Sequence, residues 1–372
     1  TVGTAATTSQ GTVDALKVYD MFQPPSGTTN QRPAGKSGAL FYNFDFKTIE
    51  FFDGYNWKQV DNATRRGRGV FGAGFDGPSP STNTTLMHMI EISTLGNSEF
   101  FGDLTQQRRN PGGRVSDGTR GLILGGYHTS ALDTIDYCTI ASGGNFIDFG
   151  NLTGAKFAIA SNGVSSSTRG VVAGGATPSS SNVIEYVEIQ TIGNALDFGD
   201  LTAAGHHGQA VNSSTKGLFC GIGPGLGTKI QSITISSTGN AVDIADLATG
   251  RHFAAGVSNG VRGVIGGGVV TAPGANGMGS SLEFVTIASD GNAIVFGDLT
   301  TKRGKLASAE THTRGVFIGS DSGVPATSTY TNVMDFITIA STGNAQDFGD
   351  ATNNGNHQLA GFSDSHGGLG GF

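Results

Sequence analysis

Long apolar runs, cysteine and charge are all scarce in this chain, and each shortage removes a class of protein. No stretch of about 18 apolar residues occurs, so no membrane-spanning helix and no membrane partner are expected. Residues 1–30 also lack the basic start and apolar core of a secretory signal. Only two cysteines are present, Cys138 and Cys220, too few for a disulfide framework; they fall in different units and are expected as separate buried thiols. Charged residues make up 14% and the formal net charge is -7, which leaves no basic footprint for nucleic acid. Sustained helical periodicity is missing too, so the fold class is all-β.

Glycine, 61 of 372 residues, is what the chain has in excess, and it is periodic. A Gly-rich strand behind a basic residue returns as Arg68-Gly-Val-Phe-Gly-Ala-Gly, Arg120-Gly-Leu-Ile-Leu-Gly-Gly, Arg169-Gly-Val-Val-Ala-Gly-Gly, Lys216-Gly-Leu-Phe-Cys-Gly, Arg262-Gly-Val-Ile-Gly-Gly-Gly and Arg314-Gly-Val-Phe-Ile-Gly. A degenerate seventh copy begins at His366. Such spacing suits four-stranded propeller blades, which take roughly 40 to 50 residues each. After each Gly-rich strand come a variable loop, an alternating strand such as Ile184-Glu-Tyr-Val-Glu-Ile189, and a Gly-Asn turn of the type at 343–344. An outer segment such as Leu196-Asp-Phe-Gly-Asp-Leu201 follows, then an inner strand of small residues such as Phe157–Ser161 or Phe253–Val257.

Seven Gly-rich copies against six alternating and outer strands predict seven blades, with six as the alternative. In the seven-blade arrangement, a hairpin over residues 40–54 supplies the outer half of the last blade. The C-terminal segments 357–362 and 366–372 supply its inner half. The domain reading is therefore an extended arm over 1–31, a hairpin module over 32–60 and propeller repeats over 61–372.

Residues 32–60 resemble a module of tailed-phage fibre and virion proteins: a Pro-containing lead, Gly38-Ala-Leu-Phe-Tyr-Asn43, an acidic-aromatic strand, then Asp53-Gly-Tyr-Asn-Trp57. The Thr-Arg-Gly-Val and Thr-Gly-Asn-Ala-x-Asp-Phe-Gly-Asp repeats are similar to kelch-like β-propellers of marine bacteriophage structural proteins. This resemblance implies a virion protein such as a tail fibre, spike or surface adhesin. It also implies attachment to other virion proteins through the N-terminal arm, and a homo-oligomer, a trimer by resemblance alone.

Residues that recur in every unit are read as scaffold, because a single binding site would need only some of the equivalent positions. Cross-strand pairs are accordingly expected for Arg120 with Asp136, Arg169 with Glu185, Arg262 with Glu283 and Arg314 with Asp335. The carboxylate pairs Asp197/Asp200, Asp243/Asp246 and Asp347/Asp350 are read as turn and strand-end acceptors rather than calcium ligands or glycosidase dyads. His206, His207, His252 and His357 fall near the inner strands, where a ring would face a central channel; they are read as hydrogen-bonded or solvent-exposed, with no metal site.

No nucleophile elbow, metalloprotease helix or phosphate loop occurs, and no cofactor and no enzyme activity are expected. Recognition is instead placed on the face carrying the variable loops, through Phe75, Asp76, Tyr127, His128, Met278 and Tyr330 together with Arg108, Lys156, Arg251 and Arg303. The expected partner there is a host-surface glycan or protein, or a neighbouring virion protein. A secreted lectin-like or carbohydrate-active propeller is the alternative.

Overall fold

A computed structural model describes the chain except for residues 1–22, 45–47, 53, 55–56, 61–66, 77–81, 111–112, 159–162, 224, 273–274, 322–329, 353–358 and 370–372. The chain is all-β and divides into two units, Thr1–Ala63 and Thr64–Phe372.

The first unit holds one four-stranded sheet in the order Ser26–Gly27, Leu40–Asn43, Thr48–Phe52, Trp57–Val60. The hairpin expected over 40–54 forms, with Leu40 opposite Phe51 and Asn43 opposite Thr48. Its buried polar centre is Glu50, which accepts two hydrogen bonds from Arg32 at 2.6 and 2.7 Å and one from Asn43 at 3.1 Å. Phe41 and Phe52 pack against Trp57. Ser26–Gly27 pairs in parallel with Tyr42–Asn43, so part of the segment read as arm belongs to this sheet.

The second unit repeats a four-stranded antiparallel sheet in a propeller-like arrangement. Sheet I comprises Arg114–Ser116, Arg120–Tyr127, Ala131–Thr139 and Ile147–Asn151, running from inner to outer strand. Sheets II to V repeat that order, starting from inner strands Val164–Ser165, Gln209–Asn212, Ala255–Ser258 and Ala307–Glu310. Sheet VI joins the two ends of the unit: Ala360–Ser363 pairs with Arg68–Gly72, followed by Thr82–Glu91 and Glu99–Arg108.

This register differs from the pairing expected for the last inner strand. The C-terminal strand pairs with the first Gly-rich strand and not with the 40–54 hairpin, and Gly367–Leu369 of the degenerate seventh copy is a buried 3-10 turn. An antiparallel partner for Arg68–Gly72 satisfies backbone groups that would otherwise form an open edge. The inner strands also begin later than expected: Phe157 and Phe253 lie outside them, ahead of Val164 and Ala255.

Both faces of each sheet are covered. Six apolar clusters each lie between two consecutive sheets, for example Phe198 and Ile184 of sheet II against Phe219 and Ile233 of sheet III. Sheet VI packs on sheet V through Phe71 and Met334 and on sheet I through Phe362 and Ile123. Consequently Ile184 and its neighbour Glu185 are both buried, where alternation alone suggests one wet face. Cys138 and Cys220 are free and buried in different clusters, and desolvation raises both thiols, Cys220 to about 12.

The Gly-Asn turns are the rivets between sheets. Asn194 Oδ1 accepts from the Asn151 N–H at 3.0 Å, and the same bond recurs from Asp103 to Asn145, Asp200 to Asn240, Asp246 to Asn292, Asp298 to Asn344 and Asp350 to Asn97. Glycine is required where the chains touch: a Cβ on Gly150 (φ +145°) would meet the Gly193 carbonyl oxygen at 2.4 Å.

Candidate functional site

The recurring charged residues are engaged in contacts within the scaffold. On the alternating strands Asp136, Glu185, Glu283 and Asp335 are buried, and each is bound to a cation at the end of the outer strand of the preceding sheet or a few residues after it. Arg108 reaches Asp136 at 2.8 Å, Arg251 reaches Glu283 at 2.5 Å, Arg303 reaches Asp335 at 2.6 Å, and Lys156 pairs with Glu185. The same carboxylates accept from backbone N–H groups of Thr105, Thr153, Ala248 and Thr300. In sheet III the neutral Gln231 takes that role for Thr202, and in sheet VI His88 meets Thr352. Desolvation lowers the Arg108, Arg251 and Arg303 guanidinium pKa values, opposed by their carboxylates.

Two expectations are corrected here. Arg108, Lys156, Arg251 and Arg303 are buried ion-pair partners, not groups offered to a ligand. Arg120, Arg169, Arg262 and Arg314 do not pair with Asp136, Glu185, Glu283 and Asp335, because Arg120 stands opposite Thr139 while Asp136 stands opposite Ile123. These arginines instead lie over Tyr137, Tyr186, Phe284 and Phe336 at 4.2 to 4.9 Å. Their guanidinium groups donate to carbonyls at the end of the neighbouring alternating strand, as from Arg169 to Ile235 and Ser236 and from Arg314 to Ile92. Arg169 also pairs with the exposed Glu188 at 2.8 Å.

The acids of the outer strands behave as strand-end acceptors: Asp103 from Thr85, Asp246 from Thr228 and Asp298 from Ser280. No group of three or more His, Cys, Asp or Glu suited to a metal ion occurs among the described residues.

A different set of positions combines a repeated backbone with unrepeated side chains. Asn110, Ala158, His207, Phe253 and Lys305 all have positive φ, between 40° and 60°, although none is glycine. They are joined in series by backbone hydrogen bonds, each N–H donating to the preceding carbonyl: Ala158 to Asn110, His207 to Ala158, Phe253 to His207 and Lys305 to Phe253. Four of them follow a buried cation by two residues, and His207 follows Gly205 at the same offset, each ahead of an inner strand. The left-handed backbone costs a non-glycine residue about 1–2 kcal/mol. Glycine would relieve that cost, so four of the five positions keep a polar, aromatic or cationic side chain against backbone preference, while Ala158 is buried.

Beside Asn110 and Ala158, the side chains of this crown and its flank are aromatic, imidazole and cationic. Arg109 lies 4.7 Å from the Phe75 ring centre and 4.6 Å from that of Tyr127, and Tyr127 meets Phe157 edge-on at 5.2 Å. Further round, His206 and His207 lie 4.6 Å apart, His252 is 6.1 and 6.2 Å from them, and Phe253 lies 3.7 Å from His207. Desolvation lowers all three imidazoles, His207 to about 2 with help from its histidine neighbours and Lys305, so the trio is neutral near pH 7. His206 bonds Ser180 at 2.8 Å, and Lys305 pairs with Asp321 at 2.9 Å.

Of the expected loop residues, the structure brings Phe75 and Tyr127 into this group and places the exposed His128 beside Asn83, 3.0 Å from its amide. Asp76 lies in a short strand with Thr82. Met278 pairs with Val269, whose strand also pairs with His252, so its hairpin adjoins the histidine group, and Tyr330 opens an alternating strand opposite Asp321. His357 lies outside the described residues. Sequence reasoning missed Arg109, Asn110, Phe157, Ala158, Phe253 and Lys305; their signal is a fixed offset of one or two residues after Arg108, Lys156, Arg251 and Arg303.

The channel between the inner strands is polar but nearly filled. Arg114, Ser116, Ser165, Asn212, Glu310 and His366 line a cavity of about 30 Å³, room for little more than a water molecule. His366 Nε2 lies 2.7 Å from the Ser116 carbonyl, and Arg114 bonds Ser308. Desolvation raises the Glu310 carboxyl to about 7 against the opposing charge of Arg114, itself lowered to about 10.

No protein-family model matches the chain, and no curated protein matches it. Function is therefore argued from the crown.

Proposed function

We propose that this chain is a non-enzymatic recognition protein built on a closed six-bladed β-propeller, with the crown and its surrounding loops as the binding face. One observation carries the reading: recurring side chains are consumed in contacts between sheets, whereas crown positions keep one backbone and vary the side chain. A closed ring of six is supported by Asp350 and Asn97, whose hydrogen bond joins sheet V to sheet VI, and by the pairing of the C-terminal strand with Arg68–Gly72. Rigid scaffolds of this kind commonly carry recognition on the loops they position.

The setting we propose is a phage virion, as a fibre, spike or surface adhesin, on the resemblance of residues 32–60 and of the repeats. There the N-terminal unit attaches the protein to other virion proteins, in a homo-oligomer, and the crown meets a host-surface glycan or protein. Electron microscopy of intact particles carrying this chain tests the reading. The expected result is the N-terminal unit against other particle subunits with the crown turned outward. A free monomer that hydrolyses polysaccharide, absent from particles, would overturn it in favour of a secreted carbohydrate-active propeller.

A further inference from the structure

The arc from Phe75 to Phe253 names a ligand chemistry, and the step rests on the recognition reading above. Arg109 lies over Phe75 and Tyr127, Phe157 meets Tyr127 edge-on, and His206, His207, His252 and Phe253 form a second group on the same series of crown segments. All of these except the exposed-edge loops around them are half-buried, so they are neither core nor free surface. Flat rings presented at a half-buried face suit the C–H faces of sugar rings, and neutral imidazoles can both donate to and accept from hydroxyl groups.

Arg109 adds the sign of the charge. Every other arginine of the crown segments, Arg108, Arg251 and Arg303, has a buried carboxylate. Arg109 has none: its guanidinium makes no ion pair and no hydrogen bond with the described residues, yet it is held between two rings. Stacking fixes the plane of a guanidinium and leaves its N–H edge for bidentate contact with a carboxylate or sulfate. Two rings hold this charge and no described carboxylate neutralises it, whereas Lys305 is paired with Asp321.

We propose that the crown binds an acidic polysaccharide, with sugar rings against Phe157, Tyr127 and the His207–Phe253 pair and a carboxylate or sulfate on Arg109. Uronate and sulfate chains share this chemistry. Biolayer interferometry of the full chain with alginate oligosaccharide, dextran sulfate and neutral dextran separates them. At least one acidic chain is expected to bind, dextran to bind at least tenfold more weakly, and raised salt to weaken the acidic complex. Arg109→Gln is expected to lose at least tenfold in affinity for the acidic chain with an unchanged thermal midpoint. Arg109→Lys, which keeps the charge and loses the fork, is expected to fall between, and Lys36→Gln in the N-terminal unit to match the parent. The proposal is overturned if neither acidic chain binds, if dextran binds equally, or if Arg109→Gln binds like the parent. Binding of the protein to its native surface separates the two levels of the argument. If Phe157→Ala with Phe253→Ala abolishes that binding while acidic chains fail, the recognition reading stands and the acidic ligand falls. If the double variant binds its native surface undiminished, both fall.

Discussion

The seams between sheets and the crown above them are built from neighbouring residues by opposite rules. At a seam, identity is repeated: the Gly-Asn turn, the outer-strand glycine, the buried cation and its carboxylate return from sheet to sheet with the same contacts. One residue further along the chain, Arg108 gives way to Arg109, Lys156 to Phe157, and Arg251 to His252, and repetition ends. The difference teaches which pressure acts where. A seam must fit a like neighbour, so one solution serves most copies; on the proposed reading the crown faces a partner outside the repeat, so its copies are free to differ.

The largest effect expected from breaking this contrast lies at a seam. Asp136→Ala strands Arg108 as an unpaired buried charge and should cost about 3–5 kcal/mol, read from chemical denaturation midpoints. Replacing both partners, Arg108→Met with Asp136→Leu, should cost much less, because the desolvation penalty disappears with the charges. If the double variant is no milder, the pair is not the buried ionic lock described here.

Gly150→Ala should follow, at about 1–3 kcal/mol, since its Cβ would press on the Gly193 carbonyl at a positive φ. The exposed Gly154, where a Cβ meets nothing within 4 Å, is the matched control and should tolerate alanine.

Titration gives a third separation. The Glu310 carboxyl is raised from 4.5 to about 7, so the folded chain holds more proton than the unfolded chain between those values, and stability should fall as pH rises through them. Glu310→Gln should remove that fall. His207 is lowered from 6.5 to about 2, so the unfolded chain holds more proton in that window and stability should fall as pH drops below about 6.5. His207→Gln should remove the acid loss. Thermal midpoints measured from pH 4 to 8 check both signs, which oppose one another between about 4.5 and 6.5.

The smallest expected effect is the most diagnostic of function. His207→Gly and Phe253→Gly relieve left-handed backbone and should leave stability unchanged or raise it by up to about 1 kcal/mol. The same substitutions remove crown side chains and should weaken binding to the native target. A loss of several kcal/mol in stability would mark the crown as scaffold after all.

Much of the scaffold was legible because its signals are local and repeated. The 46–52-residue return of the Gly-rich strand, the alternating strand and the Gly-Asn turn mark four-stranded units. The charge pairs were misread because sequence proximity suggested partners within one sheet. Asp136 is three positions out of register with Arg120 and meets Arg108, which ends the outer strand of the sheet before. The seventh copy misled for a related reason: His366-Gly-Gly-Leu has the composition of a Gly-rich strand, yet it follows the last inner strand where no partner edge is left open.

By itself, then, the sequence determined the all-β class, the repeating unit and the turns, since these depend on backbone preference and on the period of two along a strand. Tertiary structure alone decided which strand closes sheet VI, which cation each buried acid meets, and that Asn110, Ala158, His207, Phe253 and Lys305 share one strained backbone. These are contacts between segments some 30 to 300 residues apart. Their partners are chosen by the stacking of whole sheets, and no local pattern records that choice.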